Sequence, residues 1–295
     1  MIQPLHSDGT ITVSSTGLDI HYREWRPPAP PAGPALPPVL LLHGLASSCR
    51  IYDLCAPRLE GRRVIAYDQR GHGLTGKPDD GYDLATLVAD GTGLARSLDL
   101  SEPYIVVGHS WGATVALAWA VEQPGAVHAG VLVDGGVSSF RDLPDATWTM
   151  VEERFGPRAW KDVTFEALLE HTRHDDLSFL DEDFRHLFFT SLVEANGDGT
   201  IRGRLSATRH WQILRAMWEH DLDTAFSELR RPILALMASP ASPKHERAWI
   251  VDTAREAAQR RQAQQSLLEV RWVENAIHDL PLQHPGLLAR AIAEL

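Results

Sequence analysis

The chain reads as an α/β protein built on a mostly parallel sheet, with an antiparallel hairpin at its N-terminus and a helical insertion before its last strands. Three observations carry this reading. Short apolar runs alternate with longer helical segments along most of the chain. Two segments rich in Thr, Val and Ile open it, separated only by the turn Ser-Ser-Thr-Gly at 14–17. The alternation then breaks between Val133 and Pro232, where helical periodicity takes over.

The hairpin strands are expected at 9–13 and 18–25, from their β-branched content and the intervening turn. Residues 26–38 (RPPAPPAGPALPP) are rich in Pro and Ala and support neither a helix nor a strand ladder, so they form a surface connection. The run at 39–42 is continuously apolar, as a strand buried on both faces must be. Strands follow at 64–67, 104–107, 131–134, 233–237 and 268–273, and helices at 84–98, 112–122, 244–264 and 285–295. Strands alternating with helices fold as right-handed βαβ units and give a parallel sheet. Within the break, Phe165-xx-Leu168-Leu169 and Ile213-Leu214-xx-Met217-Trp218 have helical spacing, and Asn196-Gly-Asp-Gly199 is a strong turn. A structureless loop of that length is implausible in a compact domain. The organisation is therefore a core domain over 1–136 and 232–295, with a helical lid over 137–231.

Composition narrows the function classes. With 295 residues and 44% hydrophobic content, the chain buries a full core in one domain or one domain with an insertion. A formal charge of −11 repels nucleic acid and anionic membranes at long range, so neither is expected as a partner. Residues 1–9 have no basic region and no apolar stretch of the kind a secretory signal carries. Cys49 and Cys55 are too few for a disulfide framework, so a reduced cytoplasmic setting is expected. The sequence leaves the oligomeric state open.

The sharpest chemical signal is Gly108-His109-Ser110-Trp111-Gly112, a G-x-S-x-G motif lying between a strand and a helix. That setting puts Ser110 on a tight turn at a helix N-terminus, where the dipole and free N–H groups favour negative charge. His43-Gly44-Leu45 follows the buried strand at 39–42, and Asp68-Gln69-Arg70-Gly71-His72-Gly73 follows the strand at 64–67. His278-Asp279-Leu280-Pro281 follows the last strand.

These motifs, in this order, resemble the α/β-hydrolase family in its serine-nucleophile branch, and the resemblance covers almost the whole chain. It implies Ser110 as nucleophile and His278 as base. It also implies the backbone N–H groups of Leu45 and Trp111 as the oxyanion hole, and a structural rather than catalytic turn at 68–73. A serine hydroxyl needs a neutral imidazole to take its proton during attack, and a carboxylate to fix that imidazole's tautomer. In most of the family the carboxylate lies after the strand that here is 233–237, yet 238–244 (ASPASPK) contains no Asp or Glu. One strand earlier, Val133-Asp134-Gly135-Gly136 ends in an aspartate on the same sheet edge, a position a minority of the family uses. Asp134 is therefore the expected acid. Asp279 is a poorer candidate, because neighbouring side chains on an extended loop diverge.

The reaction expected from this resemblance is hydrolysis of carboxylic esters, lactones included, with an apolar small-molecule ester as the substrate. Trp111, Trp148, Trp211 and Trp218 are candidate pocket residues. No cofactor is expected. His171 and His174 lie at i, i+3 but lack a third ligand at metal spacing, so no metal is expected either. His43 is read as a buttress of its loop, and His109 as a core residue. A serine at position 110 and the absence of tyrosines from the lid exclude epoxide opening, which in this family uses an aspartate and lid tyrosines. A carbon–carbon bond hydrolase acting on a diketone, a proline-iminopeptidase-like peptidase using lid acids, and a slow-turnover receptor stay open.

Overall fold

The computed structural model of the protein describes residues 5–28, 34–242 and 248–295. The hairpin forms from β1 (Leu5–Val13) and β2 (Leu18–Arg26), paired in antiparallel register from Leu5↔Arg26 to Val13↔Leu18. Then come β3 (Val39–Leu42), β4 (Val64–Tyr67), α1 (Leu84–Ser97), β5 (Tyr104–His109), α2 (Trp111–Glu122) and β6 (Val127–Val133). The insertion is next. It holds α3 (Trp148–Phe155), α4 (Phe165–Thr172), α5 (Glu182–Leu192), the strand pair β7 (Val193–Ala195) and β8 (Ile201–Gly203), then α6 (Ala207–Glu219) and α7 (Leu222–Glu228). The chain returns to the sheet with β9 (Ile233–Ser239), α8 (Ala248–Gln264), β10 (Leu268–Glu274), the short α9 (Leu280–Gln283) and α10 (Pro285–Ala293). The helix start expected at Lys244 lies outside the described residues.

Eight strands make one sheet in the order β1-β2-β4-β3-β5-β6-β9-β10, and every pair from β4 to β10 is parallel. All four residues of β3 and of β4 are buried, which is why these strands read as unbroken apolar runs. One hydrophobic cluster lies under α1, α2, α7 and α8, with Trp119 and Val115 among its fully buried members. The other, under α10 and two 3₁₀ turns at Cys49–Tyr52 and Ala56–Arg58, includes Ile51, Leu288 and Ile292. Cys49 and Cys55 belong to the second cluster as free, buried thiols. No helix among the described residues is long and apolar enough to cross a membrane.

Strand order reverses at β3: the next strand in sequence, β4, lies on one side of it, and β5 and β6 lie on the other. In an open α/β sheet, the crevice at the carboxyl ends of strands flanking such a reversal is where ligands sit. Here the β3 end leads into His43-Gly44, the β5 end into Ser110 and the β6 end into Asp134.

At its base the insertion is fastened to the core chiefly through one buried residue. Arg261 on α8 is buried, with its side chain only 2% exposed. Its guanidinium donates to the Val137 carbonyl (2.8 Å) and to Asp142 (2.9 Å), and pairs with Asp223 on α7 (3.0 Å). Both ends of the inserted segment thus meet on a single core helix.

Candidate active site

Ser110 occupies a backbone conformation that side chains rarely adopt, with φ 54° and ψ −117°. The strand–turn–helix passage is tight enough to demand glycine on both sides. A Cβ on Gly108 would lie 1.9 Å from the Gly112 carbonyl oxygen, and one on Gly112 would lie 2.3 Å from that of Leu42. The Ser110 amide donates to the Val133 carbonyl (2.9 Å), which sets the serine beside the end of β6. Trp111 is the first residue of α2, where an amide has no acceptor within the helix. The strained turn therefore sets the hydroxyl beside an amide that has no acceptor within α2.

Asp134 also has a positive φ, 44°, and its amide is fixed by the Leu236 carbonyl at 2.8 Å. Its Oδ1 accepts from the Ala238 amide (2.9 Å), and its Oδ2 accepts from Nδ1 of His278 (2.5 Å). A carboxylate only accepts, so the His278 ring proton sits on Nδ1 and the Nε2 lone pair can act as a base. The two side chains are 11% and 21% exposed, partly withdrawn from water, where a charge-assisted bond is strengthened. Ser110, Asp134 and His278 line one cavity of about 130 Å³. Space of this order holds a group about the size of benzene.

His109, expected to be a core residue only, is buried but does more. Its Nε2 donates to the His278 carbonyl (2.9 Å), and the two rings lie 4.7 Å apart. The residue before the serine thus holds the backbone of the loop that carries the imidazole. No periodicity could reveal this, because the two residues are 169 apart in sequence.

The loop beginning at His43 is fixed by two neutral imidazoles. His43 donates from Nδ1 to the Gly44 carbonyl (2.7 Å) and accepts at Nε2 from the Gln69 amide (2.9 Å). His72 donates from Nδ1 to the Arg70 carbonyl (2.9 Å) and accepts at Nε2 from the Ala46 amide (3.2 Å). Burial pushes both histidines below the ordinary range, His72 to about 3, so both stay uncharged at neutral pH. Gly44 passes so close to the serine that a Cβ there would lie 3.1 Å from that of Ser110. The turn at 68–73 therefore acts on the site through His72, which reaches back to the neighbouring loop.

Nothing brings the candidate tryptophans to the cavity at Ser110, since none of the four is among its lining residues. Trp111 is fully buried in the core, because α2 turns its first side chain inward onto the sheet. Trp148 packs edge-on against Trp211 and Trp218, with centroids 6.4 and 6.2 Å away, and so joins α3 to α6. The apolar wall of the cavity comes instead from residues such as Phe140, Phe155, Met217, Leu222 and Ile250. Single apolar residues scattered over several segments give no sequence pattern.

Among the described residues, one group has metal-like spacing: His21, Cys49 and Asp68, all buried, with donor atoms within 4.8 Å of one another. Its carboxylate is engaged by His21 Nδ1 (2.8 Å) and the amides of Cys49 (2.8 Å) and Leu74 (2.9 Å). That network ties the 68–74 turn to β2 and to the first 3₁₀ turn. His174, whose spacing from His171 suggests a ligand pair, instead contacts Glu170 on the surface.

Comparison with known proteins shows the family. The chain is 38% identical over 99 residues to a 2-(acetamidomethylene)succinate hydrolase of Mesorhizobium japonicum, covering 33% of this chain and 35% of that one. It is 38% identical over 128 residues to a non-heme chloroperoxidase of Streptomyces lividans, covering 42% and 44%. The chain thus spans less than half the length of these curated relatives. The crystal structure of an E-2-(acetamidomethylene)succinate hydrolase superposes over 98% of both chains with a TM-score of 0.71, at 23% identity, a likeness of fold. The model of the alpha/beta hydrolase family matches residues 39–291, and the chain belongs to that family.

Proposed function

We propose that the protein is a serine hydrolase that cleaves small carboxylic esters, lactones included, through an acyl-enzyme on Ser110. The observation that carries this reading is the convergence of a strained Ser110 and the His278–Asp134 pair on one cavity. His278 Nε2 takes the Ser110 proton as Oγ attacks the ester carbonyl. The Leu45 and Trp111 amides stabilise the oxyanion, each such donor typically contributing about 3–4 kcal/mol of barrier. The same imidazole then protonates the departing alcohol and activates water to release the acid. Asp134 stays ionised throughout and supports the imidazolium. A cavity of about 130 Å³ with a largely apolar wall favours a small, uncharged acyl or alcohol group beside the serine.

Ser110→Ala tests this directly. Turnover of p-nitrophenyl esters should fall by on the order of 10³ or more with the fold intact. A fluorophosphonate should label Ser110 in the wild type, as read by peptide mass spectrometry. Turnover retained in the variant refutes the proposal.

A further inference from the structure

A second, larger cavity of about 650 Å³ lies between the core turn that carries His72, Gly73 and Lys77 and the β8 strand of the insertion. Its charge is opposite to that of the protein. Lys77, Arg158, Arg202, Arg204 and Arg209 line it, against the single carboxylate of Glu194, in a chain whose formal charge is −11.

Some of these cations are already matched. Arg209 is held by Asp79 (2.9 Å) and by backbone carbonyls of Lys77 and Pro78, and Arg202 by Glu194 (2.8 Å). The surplus is Lys77, Arg158 and Arg204. The Lys77 ammonium donates to the carbonyls of Gly73 (2.9 Å) and Thr75 (3.2 Å), and the Arg158 guanidinium lies over the Trp160 ring at 5.1 Å. Arg204 stands 3.9 Å from Glu194, which Arg202 already occupies, and its Nε is buried with no hydrogen-bond partner among the described residues. Burial, and then the charge of Arg204, push the Lys77 ammonium below its ordinary range. Cations gathered in a partly closed space without matching anions repel one another, an arrangement an anionic ligand would relieve.

Position links this cavity to the catalytic one. Its wall includes Ala46 and Ser47, and Gly44 of the same loop passes so near Ser110 that a Cβ on it would lie 3.1 Å from the serine's. Two residues span at most about 7 Å, so the cavity begins within roughly 12 Å of the serine. We infer that it binds the anionic end, carboxylate or phosphate, of the small molecule on which the protein acts, with Arg204 and Lys77 as the principal contacts. That the anion belongs to the substrate rests on the hydrolase reading; that the cavity binds an anion does not.

Two measurements separate these claims. In the first, glutarate, inorganic phosphate and neutral glutaramide are titrated calorimetrically into the full-length Ser110→Ala protein. One or both anions should bind while glutaramide does not, and the stronger of the two identifies the anionic group. Arg204→Gln and Lys77→Gln should each weaken that binding at least tenfold, Arg204→Lys should retain part of it, and the distant Arg271→Gln should leave it unchanged. Equal binding of glutaramide, no binding of either anion, or equal affinity in Arg204→Gln overturns the inference. In the second, kcat/KM is compared for a p-nitrophenyl ester ending in a carboxylate and its neutral methyl-capped twin. Arg204→Gln should lower the anionic-to-neutral ratio about tenfold, and an unchanged ratio overturns the assignment to the substrate. If neither ester turns over while anion binding depends on Arg204, the ester reading fails and the anion site stands.

Discussion

Asp134→Asn removes a charge while conserving shape, and the surroundings of the carboxylate determine its effect. Oδ1 accepts from the Ala238 amide at 2.9 Å, so a replacing amide must keep its oxygen on that side. Its NH₂ group is then left facing His278 Nδ1, where Oδ2 now accepts at 2.5 Å. Two donors cannot share that contact, so the ring proton must move to Nε2. An imidazole protonated on Nε2 cannot accept from Ser110. The expected loss in kcat is about 10³–10⁴, equivalent to roughly 4–5.5 kcal/mol of barrier. The melting temperature should hardly move, because the Ala238 bond survives and a neutral hydrogen bond replaces the charged one. Steady-state hydrolysis of a p-nitrophenyl ester beside calorimetry measures both. Fresh protein is needed, since an asparagine before Gly135 deamidates to a mixture of aspartate and isoaspartate, and intact mass sets an upper limit on the fraction restored. A kcat within tenfold of the wild type, in protein shown free of reversion, would refute the assignment of the acid.

Two further expectations concern the histidines around the site. His109→Phe keeps a ring against His278 but loses the donor to its carbonyl, a bond of about 1 kcal/mol. It should lower kcat several-fold and leave KM for the same ester in place, and a fall in melting temperature with kcat unchanged would make the role structural only. His72 stays neutral in the fold down to about pH 3, whereas in the unfolded chain it takes a proton near its ordinary value of 6.5. Its contribution is therefore complete above about pH 6.5 and is lost as pH falls towards 3, by up to about 1.4 kcal/mol per pH unit. Urea unfolding at pH 7, 5 and 4 should show this loss, with a shallower slope in His72→Gln; equal slopes would mean that His72 is protonated in the fold.

The parts of the molecule legible in its sequence are those encoded locally. Val39-Leu-Leu-Leu42 and Val64-Ile-Ala-Tyr67 announce buried parallel strands because both of their faces must be apolar. The elbow is legible because the turn's steric demand falls on glycines two residues either side of the serine. Asp134 is legible only through the family resemblance, from the absence of Asp and Glu over 238–244 and an aspartate at the end of the preceding strand, and its carboxylate lies against His278. β6 begins at Val127 rather than 131, because His128 and Gly130 interrupt the apolar run that marks a strand. The β7–β8 pair shows only as its turn at 196–199, since strands of three residues are too short to display a period of two. His72 on Ala46, His109 on His278 and the apolar cavity wall are contacts between distant segments, which no local pattern contains. Aromatic content draws attention to Trp148, Trp211 and Trp218, but composition does not say which face of a helix meets the cavity.

The Arg261 clamp bears on how substrate is admitted. Swinging the insertion away as a rigid flap would part this guanidinium from Asp142, Asp223 and the Val137 carbonyl. Losing hydrogen bonds to a charged group costs about 1.5–3 kcal/mol, which would leave such an open form at roughly one molecule in ten to one in a hundred or so. The two ends of the insertion therefore behave as fixed mounts. On the hydrolase reading, substitutions along α3 to α5 should therefore change kcat/KM for a bulky ester more than substitutions at the junctions with the sheet.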